Sequence, residues 1–359
     1  MILLAHYCTA ECGPAHRLHP AIYRDFGNFI GAIGTSRKLP INLSPPPTNA
    51  YYNVAALTLV LPFQSSLKER LNLEMLSQLS VVALVSSFTL QAAIAAAACS
   101  QSLLREATES YVAAQSTGSL TWLQSLLSDN VTYLENGKNL VNWKSNSTLT
   151  ATPLRIDRSH SIFDLTQCAT FTDIIVTDAA NPRVIGAQVW LTDNKVSKID
   201  RLVTTPGDWL FNATGTLYYA LREDWGEIPA ASRDSREVIK AAADAYLDVF
   251  KNASAPVPWG SPCTRLEGGA YTGRGLPTDS CNVGVIQSYD MPNRRYVIDE
   301  MVGVVSVLLE FGSIGNAPDS HEFRVEGGKL RHIHTMTYCE KKPNCGYNIG
   351  PTGPTRTGG

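Results

Sequence analysis

The chain has 359 residues, a formal net charge of −2 and 44% hydrophobic residues. This length accommodates two ordinary domains, each with its own hydrophobic core. The near-neutral charge, without any run of basic residues, argues against nucleic acid as a partner.

The first distinctive segment is the apolar run at residues 75–98, MLSQLSVVALVSSFTLQAAIAAAA. An apolar run that ends in small residues, with cleavage after Ala97 or Ala98, is typical of a secretory signal peptide. A signal anchor is the alternative, but the interspersed Ser, Thr and Gln make a weak membrane span. We expect cleavage, which leaves no stable membrane anchor. Residues 1–74 show no periodic pattern, so we expect either disorder or an extension of the gene model ahead of a start at Met75.

Residues 99–205 have the pattern of an α+β domain. Apolar residues at helical spacing predict a helix over Ser102–Gln115, and a short helix is expected near residues 120–127. The polar residues 145–152 indicate a loop. Over Ser161–Thr204, β-branched and aromatic residues alternate with polar ones, which predicts successive antiparallel strands. Helices followed by such a sheet are the order of an α+β fold.

The rest of the chain reads as a bridge, a second domain and a tail. Residues 206–233 are rich in aromatic side chains, so we expect this bridge to pack against the domains. Residues 234–342 begin with Asp234 and Glu237 at the spacing of a capping box and end in another set of predicted strands. Residues 343–359 contain Gly, Pro and Thr without an apolar pattern, which predicts a disordered tail.

The second domain repeats the first. Asp299 falls on Asp164 and Lys329 on Lys195, at spacings of 299 − 164 = 135 and 329 − 195 = 134 residues, so one gap aligns the two copies of the sheet. The predicted helices repeat at the same period. A sequence repeat with a fixed spacing indicates a duplicated domain.

Cysteines and glycosylation sequons both predict export to an oxidising compartment, either outside the cell or in the secretory lumen. Because Cys8 and Cys12 precede the apolar run, 8 − 2 = 6 cysteines follow it, an even number suited to disulfides. No C-x-x-C pair supports zinc. Proximity in sequence favours Cys263–Cys281 and Cys339–Cys345, and the remainder is Cys99–Cys168. The candidate glycosylation sites are Asn130, Asn146, Asn212 and Asn252.

Three stretches carry a resemblance to a known fold: the helix SLLREATESYVAAQ, the turn into a strand LLSDNVTYLE and the hairpin DNKVSKI. Their pattern resembles the nuclear transport factor 2-like cone, the fold of SnoaL-like polyketide cyclases and scytalone dehydratase. The resemblance implies an α+β protein with two tandem cone-shaped domains, each made of helices packed on a curved antiparallel sheet.

Longer segments of the sequence resemble a group of secreted fungal proteins. They include GDWLFNATGTLYYA, RDSREVIKAAADAYLD, VPWGSPCTRLEGGAYTG and SHEFRVEGGKLRHIHTMT, and together they cover nearly all of the mature chain. Proteins similar to this group include the hetero-Diels-Alderases of tropolone sesquiterpene biosynthesis. The resemblance implies an enzyme that joins a dehydrated tropolone, an o-quinone methide, to a humulene-type sesquiterpene, with small apolar polyketide and terpenoid substrates as partners.

Two other functions stay open. One is a SnoaL-like cyclase, dehydratase or isomerase that acts on a single substrate, and the other is a secreted binding protein without chemistry. The chain has no G-x-S-x-G elbow, P-loop, dinucleotide fingerprint or H-E-x-x-H. Esterase, NTPase, dehydrogenase and zincin activities therefore lose their usual support, and we expect no cofactor.

His332 and His334 flank one residue on a predicted strand, so both project from the same face. Such a pair can serve as catalytic acid and base, or as metal ligands. No spaced carboxylate completes a ligand set, so we expect no metal. The alternative is a polar strand face that meets water or the other domain.

Asp299 and its repeat partner Asp164 are candidate general bases, because a carboxylate inside an apolar cone has a raised pKa. An acid that stands in both copies is better explained by the shared fold, for example by pairing with Arg158, Arg294 or Arg295.

Four further candidates lie where the second copy departs from the first, which is where a site can be added to a duplicated fold. Arg295 and Tyr296 are catalytic candidates, since both can stabilise negative charge that develops on a tropolone or enone oxygen. Glu267 and Tyr271 are candidates for substrate binding. The alternative is that this glycine-rich stretch only shapes a disulfide-closed loop.

Overall fold

The structure is a computed structural model that describes residues 99–285, 288–350 and 353–356. The expected N-terminal extension and signal peptide, residues 1–98, lie outside the described residues. Within the described part of the chain, no helix is both long enough and apolar enough to cross a membrane.

The first domain consists of a long helix, two short ones and a six-stranded sheet. The helices are α1 (Gln101–Thr117), α2 (Trp143–Asn146) and α3 (Thr148–Ala151), with a 3-10 turn at Gln124–Leu126. The strands are β1 (Leu127–Glu135), β2 (Lys138–Asn139), β3 (Arg158–Asp164), β4 (Ala169–Val176), β5 (Arg183–Thr192) and β6 (Lys195–Thr204). Their order in the sheet is β2-β1-β6-β5-β4-β3. Residues 145–152, expected to be a loop, thus include two helical turns.

Helix α1 has clear start and stop signals. Ser100 caps its first turn, because the side-chain oxygen accepts a hydrogen bond from the backbone N–H of Leu103 at 3.2 Å. The helix ends at Gly118, whose φ of 66° lies in the left-handed region that favours glycine. Leu104 and Tyr111 of its apolar stripe are fully buried in the core of the first domain.

The bridge and the second domain follow. The bridge holds α4 (Ala213–Ala220) and a 3-10 turn at Ala230–Ser232, and the second domain starts with α5 (Arg236–Asp248). The strands are β7 (Trp259–Glu267), β8 (Ala270–Tyr271), β9 (Arg295–Asp299), β10 (Val304–Phe311), β11 (Ala317–Glu326) and β12 (Lys329–Thr337), with a 3-10 turn at Gly312–Ile314. Their order, β8-β7-β12-β11-β10-β9, repeats that of the first sheet. The prediction of a two-domain α+β fold is confirmed.

Pairing within the two sheets is also equivalent. In each, the first long strand runs parallel to the last one, β1 to β6 and β7 to β12. The other neighbours pair antiparallel. Each register therefore identifies which residue of one copy corresponds to which residue of the other.

The C-terminal tail contains regular structure, whereas the sequence predicted a disordered segment. A 3-10 turn at Pro343–Gly346 leads into a hairpin of β13 (Tyr347–Gly350) and β14 (Gly353–Arg356). The Cys339–Cys345 disulfide ties this turn to the end of β12. A tail without an apolar pattern can thus be ordered by a covalent bond that composition does not reveal.

All three predicted disulfides are confirmed. The paired Cα atoms are 5.5, 5.1 and 4.5 Å apart in Cys99–Cys168, Cys263–Cys281 and Cys339–Cys345. These bonds are compatible with a secreted or lumenal protein.

The two sheets pack against each other through the faces that do not carry the helices. Phe171 of β4 and Val304 of β10 lie in this contact, together with Trp225 of the bridge. The bridge is well packed, since Trp209 and Trp225 are each only 6% exposed. Side chains alternate along a strand, so each strand presents one set of residues to its own helix and another to the opposite domain.

Candidate active site

The second domain contains an open pocket between helix α5 and its own sheet. The volume is about 380 Å³. Apolar side chains form much of the wall, and polar side chains from three strands converge on one side. The lining residues are Trp209, Leu210, Tyr246, Phe250, Arg265, Glu267, Val283, Gly284, Val285, Phe311, Asp319, His321, Thr335 and Thr337. An apolar concavity with a few convergent polar groups is the usual form of a small-molecule site.

A His–Asp pair lies inside this pocket. Asp319 and His321 are two apart on β11 and therefore face the same side. Nδ1 of His321 is 2.6 Å from Oδ1 of Asp319, and Thr337 donates its hydroxyl to Oδ2 of Asp319 at 2.5 Å. An Nδ1–H that donates to the carboxylate leaves the lone pair of Nε2 free, and no hydrogen bond within the described residues reaches Nε2.

Burial raises the pKa of Asp319, and the hydrogen bonds from His321 and Thr337 oppose this rise. The carboxylate is 1% exposed, so its stable partner is the imidazole and not water. Such an arrangement fixes the ring orientation and supports a positive charge on His321 when Nε2 takes a proton. The pair has the geometry of a general acid and base.

A second polar group in the pocket is centred on Arg265. It donates to the hydroxyl of Tyr246 at 3.2 Å and forms an ion pair with Glu267 at 2.9 Å. The Nε–H of Arg265 is buried and has no acceptor within the described residues. Glu267 also accepts the indole N–H of Trp209 at 2.7 Å. Because Tyr246 accepts from Arg265, its own hydroxyl proton is free to be donated to an oxygen in the pocket.

One small side chain replaces a large one at the position of the pocket. Arg201 in the first domain pairs across the sheet with Ala187 and Glu135. The corresponding residue of the second domain is Thr335, which pairs with His321 and Glu267. The same registers place Ile185 and Ala187 where the second domain has Asp319 and His321.

The first domain fills this space with its own side chains. Arg201 is 1% exposed and donates to the hydroxyl of Tyr133 at 3.1 Å and to the amide oxygen of Gln115 at 2.5 Å. Thr335 is too short to reach the position of this guanidinium, which leaves that space open in the second domain. In the second copy, this position combines an open pocket with the Asp319–His321 pair.

His332 and His334 lie on the opposite face of β12 and do not line this pocket. Both rings contact the carboxylate of Glu223 in the bridge, His332 at 3.3 Å. Thr264 donates its hydroxyl to the same carboxylate at 2.9 Å. The side chain of Glu223 is 1% exposed. The histidines therefore satisfy a buried carboxylate at the contact between bridge and sheet.

These contacts perturb the pKa values in a consistent way. Burial alone would lower the pKa of His334, but Glu223 and Glu322 raise it above its ordinary value. Burial opposes ionisation of Glu223, yet the two histidines hold its pKa well below its usual range. Glu223 and His334 form a buried ion pair, in which each charge stabilises the other.

More ionisable groups lie nearby, where the two sheets meet. Burial and the neighbouring Asp173 raise the pKa of Glu322 to about 7. Asp173 pairs with Arg158 at 2.7 Å, and burial raises its pKa. His160 lies 3.8 Å from Glu322, and burial together with Arg158 lowers its pKa to about 3. The cavity beside this cluster measures about 20 Å³, room for about one water and not for a substrate.

Asp299 and Asp164 hold the two sheets together at their edges. Asp299 accepts from the backbone N–H of Phe163 at 2.9 Å, and Asp164 accepts from that of Ile298 at 2.9 Å. Each acid thus binds the edge strand of the other copy. Burial raises the pKa of Asp299, while its backbone donors oppose the rise. Asp164 also pairs with Arg236 at 2.6 Å, so the acids have structural partners.

The remaining candidates are distributed over three places. Arg295 pairs with Asp200 of the first domain at 2.8 Å. Tyr296 donates to Asp244 at 2.6 Å, and burial followed by Asp244 raises its pKa. Tyr271 stacks on Tyr219 with ring centroids 4.2 Å apart, and burial raises its pKa to about 12. Of the candidates from the sequence, Glu267 alone lines the pocket.

All four sequon asparagines, Asn130, Asn146, Asn212 and Asn252, are exposed. Asn212 also caps α4, because its Oδ1 accepts the backbone N–H of Gly215 at 2.9 Å. A glycan is attached through the amide nitrogen and would leave this cap in place.

No group of three or more His, Cys, Asp or Glu side chains is arranged to hold a metal ion within residues 99–285, 288–350 and 353–356. The ionisable groups of the pocket are already paired with one another: Asp319 with His321, and Glu267 with Arg265.

A family model described as a domain of unknown function (DUF8021) matches residues 232–337, which is most of the second domain. The curated proteins contain no match to the chain. A solved structure described as a "Putative Isomerase from Rhodopseudomonas palustris" is 11% identical and covers 29% of this chain and 90% of its own, with a TM-score of 0.23. A likeness at that score carries no weight for fold or function.

Sequence reasoning missed Asp319, His321 and Arg265. The signal that could have found them is the comparison of the two copies, because Ile185 and Ala187 stand where the second copy has Asp319 and His321. Replacement of interior apolar residues by an acid and a histidine in one copy alone points to an added site.

Proposed function

We propose that the protein is a cofactor-independent enzyme that moves protons on a small, neutral and largely apolar substrate in the pocket of the second domain. The observation that carries this proposal is the Asp319–His321 pair inside an open, partly apolar pocket. Dehydration and isomerisation next to a carbonyl are the reactions that such a pair supports.

His321 acts first as the base in this proposal. Nε2 takes a proton from a carbon next to the substrate carbonyl, and the C–H electron pair moves to form an enolate. Asp319 stabilises the resulting imidazolium through Nδ1–H. The imidazolium then returns the proton, either to a leaving hydroxyl, which departs as water, or to another carbon, which gives an isomer.

Arg265 and Tyr246 are the candidates to stabilise the enolate oxygen. Both are donors already oriented by their mutual hydrogen bond at 3.2 Å. Donors held in place before the reaction need no reorganisation when charge develops. Glu267 balances the charge of Arg265, which favours a neutral substrate over an anionic one.

The test is exchange of α-protons in D2O, followed by NMR on a panel of neutral bicyclic ketones that begins with 2-tetralone. We expect the purified protein to accelerate exchange, and His321→Gln to reduce the acceleration by about 10²- to 10⁴-fold. Asp319→Asn should reduce it as well. The control is His332→Gln, which alters a histidine on the opposite face and should leave the rate unchanged. Equal rates for wild type and His321→Gln across the panel would refute the proposal.

A narrower proposal follows from the sequence resemblance: the substrate is a hydroxymethyl tropolone, and the product is a hetero-Diels-Alder adduct. Loss of water from this alcohol gives an o-quinone methide. The heterodiene then adds to a humulene-type alkene, with one C–C and one C–O bond formed and no further proton moved. The pocket supports this idea because its polar side can face the oxygens while Leu210, Phe250 and Phe311 face hydrocarbon.

This narrower proposal has its own assay. The tropolone alcohol and humulene are incubated with the protein, and adducts are separated by chiral chromatography. A single enriched stereoisomer that depends on His321 supports it. The uncatalysed ratio of adducts, in the presence of ketone exchange, would leave a single-substrate dehydratase or isomerase.

The shape of the two domains and the export of the protein are part of the same proposal. We infer that each domain is a cone of the SnoaL-like type, supported by the helix that precedes each sheet and by the identical strand order. A secreted glycoprotein is supported by the three disulfides and the four exposed sequon asparagines. A drop in mass after treatment with a peptide N-glycosidase tests the latter.

A secreted binding protein without chemistry remains the competing function. The open pocket of the second domain is compatible with it. The two functions differ in proton exchange, because a binding protein catalyses none and wild type and His321→Gln would then exchange the ketone protons at the same uncatalysed rate.

A further inference from the structure

The C-terminal segment, predicted as a disordered tail, contacts the wall of the pocket. The ring of Tyr347 packs edge to face on Trp209, with centroids 5.5 Å apart and planes at 90°. Trp209 is 6% exposed and lines the pocket. The tail residue therefore touches a residue of the candidate site directly.

Several hydrogen bonds fix the same part of the bridge to the same tail. The side-chain oxygen of Asn344 accepts the backbone N–H of Leu210 at 3.0 Å, and the backbone N–H of Asn344 donates to the carbonyl of Gly207 at 2.8 Å. Asp208 accepts the backbone N–H of Cys339 at 2.7 Å. Residues 207–210 are thus held from one side by residues 339–347.

The Cys339–Cys345 disulfide makes the 3-10 turn at Pro343–Gly346 a rigid support for residues 207–210. Cys339 and Cys345 are both buried and pack with Trp209 in one small apolar cluster. Asn344 and Cys345 have positive φ values of 45° and 54°, a conformation that the short covalent loop and its hydrogen bonds must maintain.

Trp209 transmits the contact into the pocket. Its indole N–H donates to Glu267 at 2.7 Å, and Glu267 in turn pairs with Arg265 at 2.9 Å. A change in the position of Trp209 therefore moves the carboxylate that orients the guanidinium. Leu210, held by Asn344, forms the adjoining apolar wall.

We propose that residues 339–347 form a disulfide-closed clamp that belongs to the active site, in which Tyr347 and Asn344 are positioning residues for Trp209 and Leu210. This proposal rests on the proposed function of the pocket. It assigns to the tail a role in ligand affinity that is separate from the stability of the domain.

The experiment measures affinity and the position of Trp209 independently. The neutral fluorescent ketone prodan serves as the probe for the pocket. The full chain is labelled with 5-fluorotryptophan, and the 19F resonance of Trp209 is assigned from Trp209→Phe. We expect Tyr347→Ala to shift this resonance and to weaken prodan binding roughly two- to tenfold.

Matched variants separate position from stability. Tyr347→Phe keeps the ring and should restore both readouts. Asn344→Asp keeps an acceptor and tolerates positive φ, so it should behave like wild type, whereas Asn344→Gly should not. The control is Tyr218→Ala, which removes a half-exposed tyrosine of α4 that does not line the pocket. Thermal unfolding of each variant shows that it is folded.

The outcomes distinguish the two proposals. An unshifted Trp209 resonance with unchanged prodan affinity in Tyr347→Ala overturns the clamp, while the pocket stands as the site. Failure of wild type to bind prodan or to exchange 2-tetralone counts against the pocket as a functional site. In that case the 19F resonance still decides whether Tyr347 positions Trp209.

Discussion

The substitution Glu322→Gln should make the protein more stable at neutral pH, although it removes an ionisable residue from the contact between the sheets. Glu322 is 4% exposed, and burial raises its pKa from 4.5 to about 7. Below pH 4.5 the group is protonated in both the folded and the unfolded state. As pH rises towards 7, only the unfolded state ionises, so the free energy of unfolding falls and stays lower above pH 7.

The size of the effect follows from the two pKa values. Their difference is 7 − 4.5 = 2.5, which corresponds to about 3 kcal/mol at about 1.36 kcal/mol for each pKa unit. Glutamine has the same shape and no titration, so the variant escapes this loss. His334 gives up a counter-charge in the variant, which offsets part of the gain and makes about 3 kcal/mol an upper limit.

The assay is urea unfolding of wild type and Glu322→Gln at several values between pH 4 and 8. We expect the difference in unfolding free energy to grow in favour of the variant as pH rises from 4.5 to 7. Glu106→Gln removes an exposed acid of α1 and serves as the control for a simple change of charge. Parallel stability curves for wild type and Glu322→Gln would show that the carboxyl is not held neutral by burial, and the reasoning would fail.

Three other predictions concern the pocket, the domain contact and the disulfides. Thr335→Arg places the side chain of Arg201 in the second domain and should abolish prodan binding, as measured by fluorescence titration, while circular dichroism stays unchanged. Asp299→Asn turns an amide NH2 towards one of the backbone N–H donors of this carboxylate and should cost about 1–3 kcal/mol of unfolding free energy in urea. Cys99→Ser opens a loop with a sequence separation of 69 and should cost about 4 kcal/mol, against about 2 kcal/mol for Cys345→Ser, whose loop has a separation of 6. Equal costs for these two cysteine variants would contradict the loop-entropy argument.

The sequence predicts much of this fold because the repeat is explicit. The alternation of apolar and polar residues predicts the strands, and the matched spacing of Asp164 and Asp299 predicts that the sheet occurs twice. The disulfides could also be predicted, since two of the pairs are close in sequence. The order in the tail could not, because it depends on the contacts of Asn344 and Tyr347 with the bridge.

The site is harder to predict because strand alternation decides which face a residue occupies, and the sequence does not say what each face meets. His332 and His334 share a face, and that face meets Glu223. One residue further along, Thr335 faces the pocket. The choice between the two faces depends on the bridge, whose Glu223 is far from the histidines in sequence.

The exchange of acids between edge strands ties the fate of each copy to the other. Strands β3 and β9 are the edge strands of their sheets, and in each one a backbone N–H is bound by an acid of the other copy. Without the other copy, these edges would be uncovered, and an exposed edge strand is a template on which chains aggregate. A gene cut in half at the bridge should therefore yield insoluble protein. The first copy, in which Arg201 fills the position of the pocket, thus contributes to the second copy by covering its edge strand.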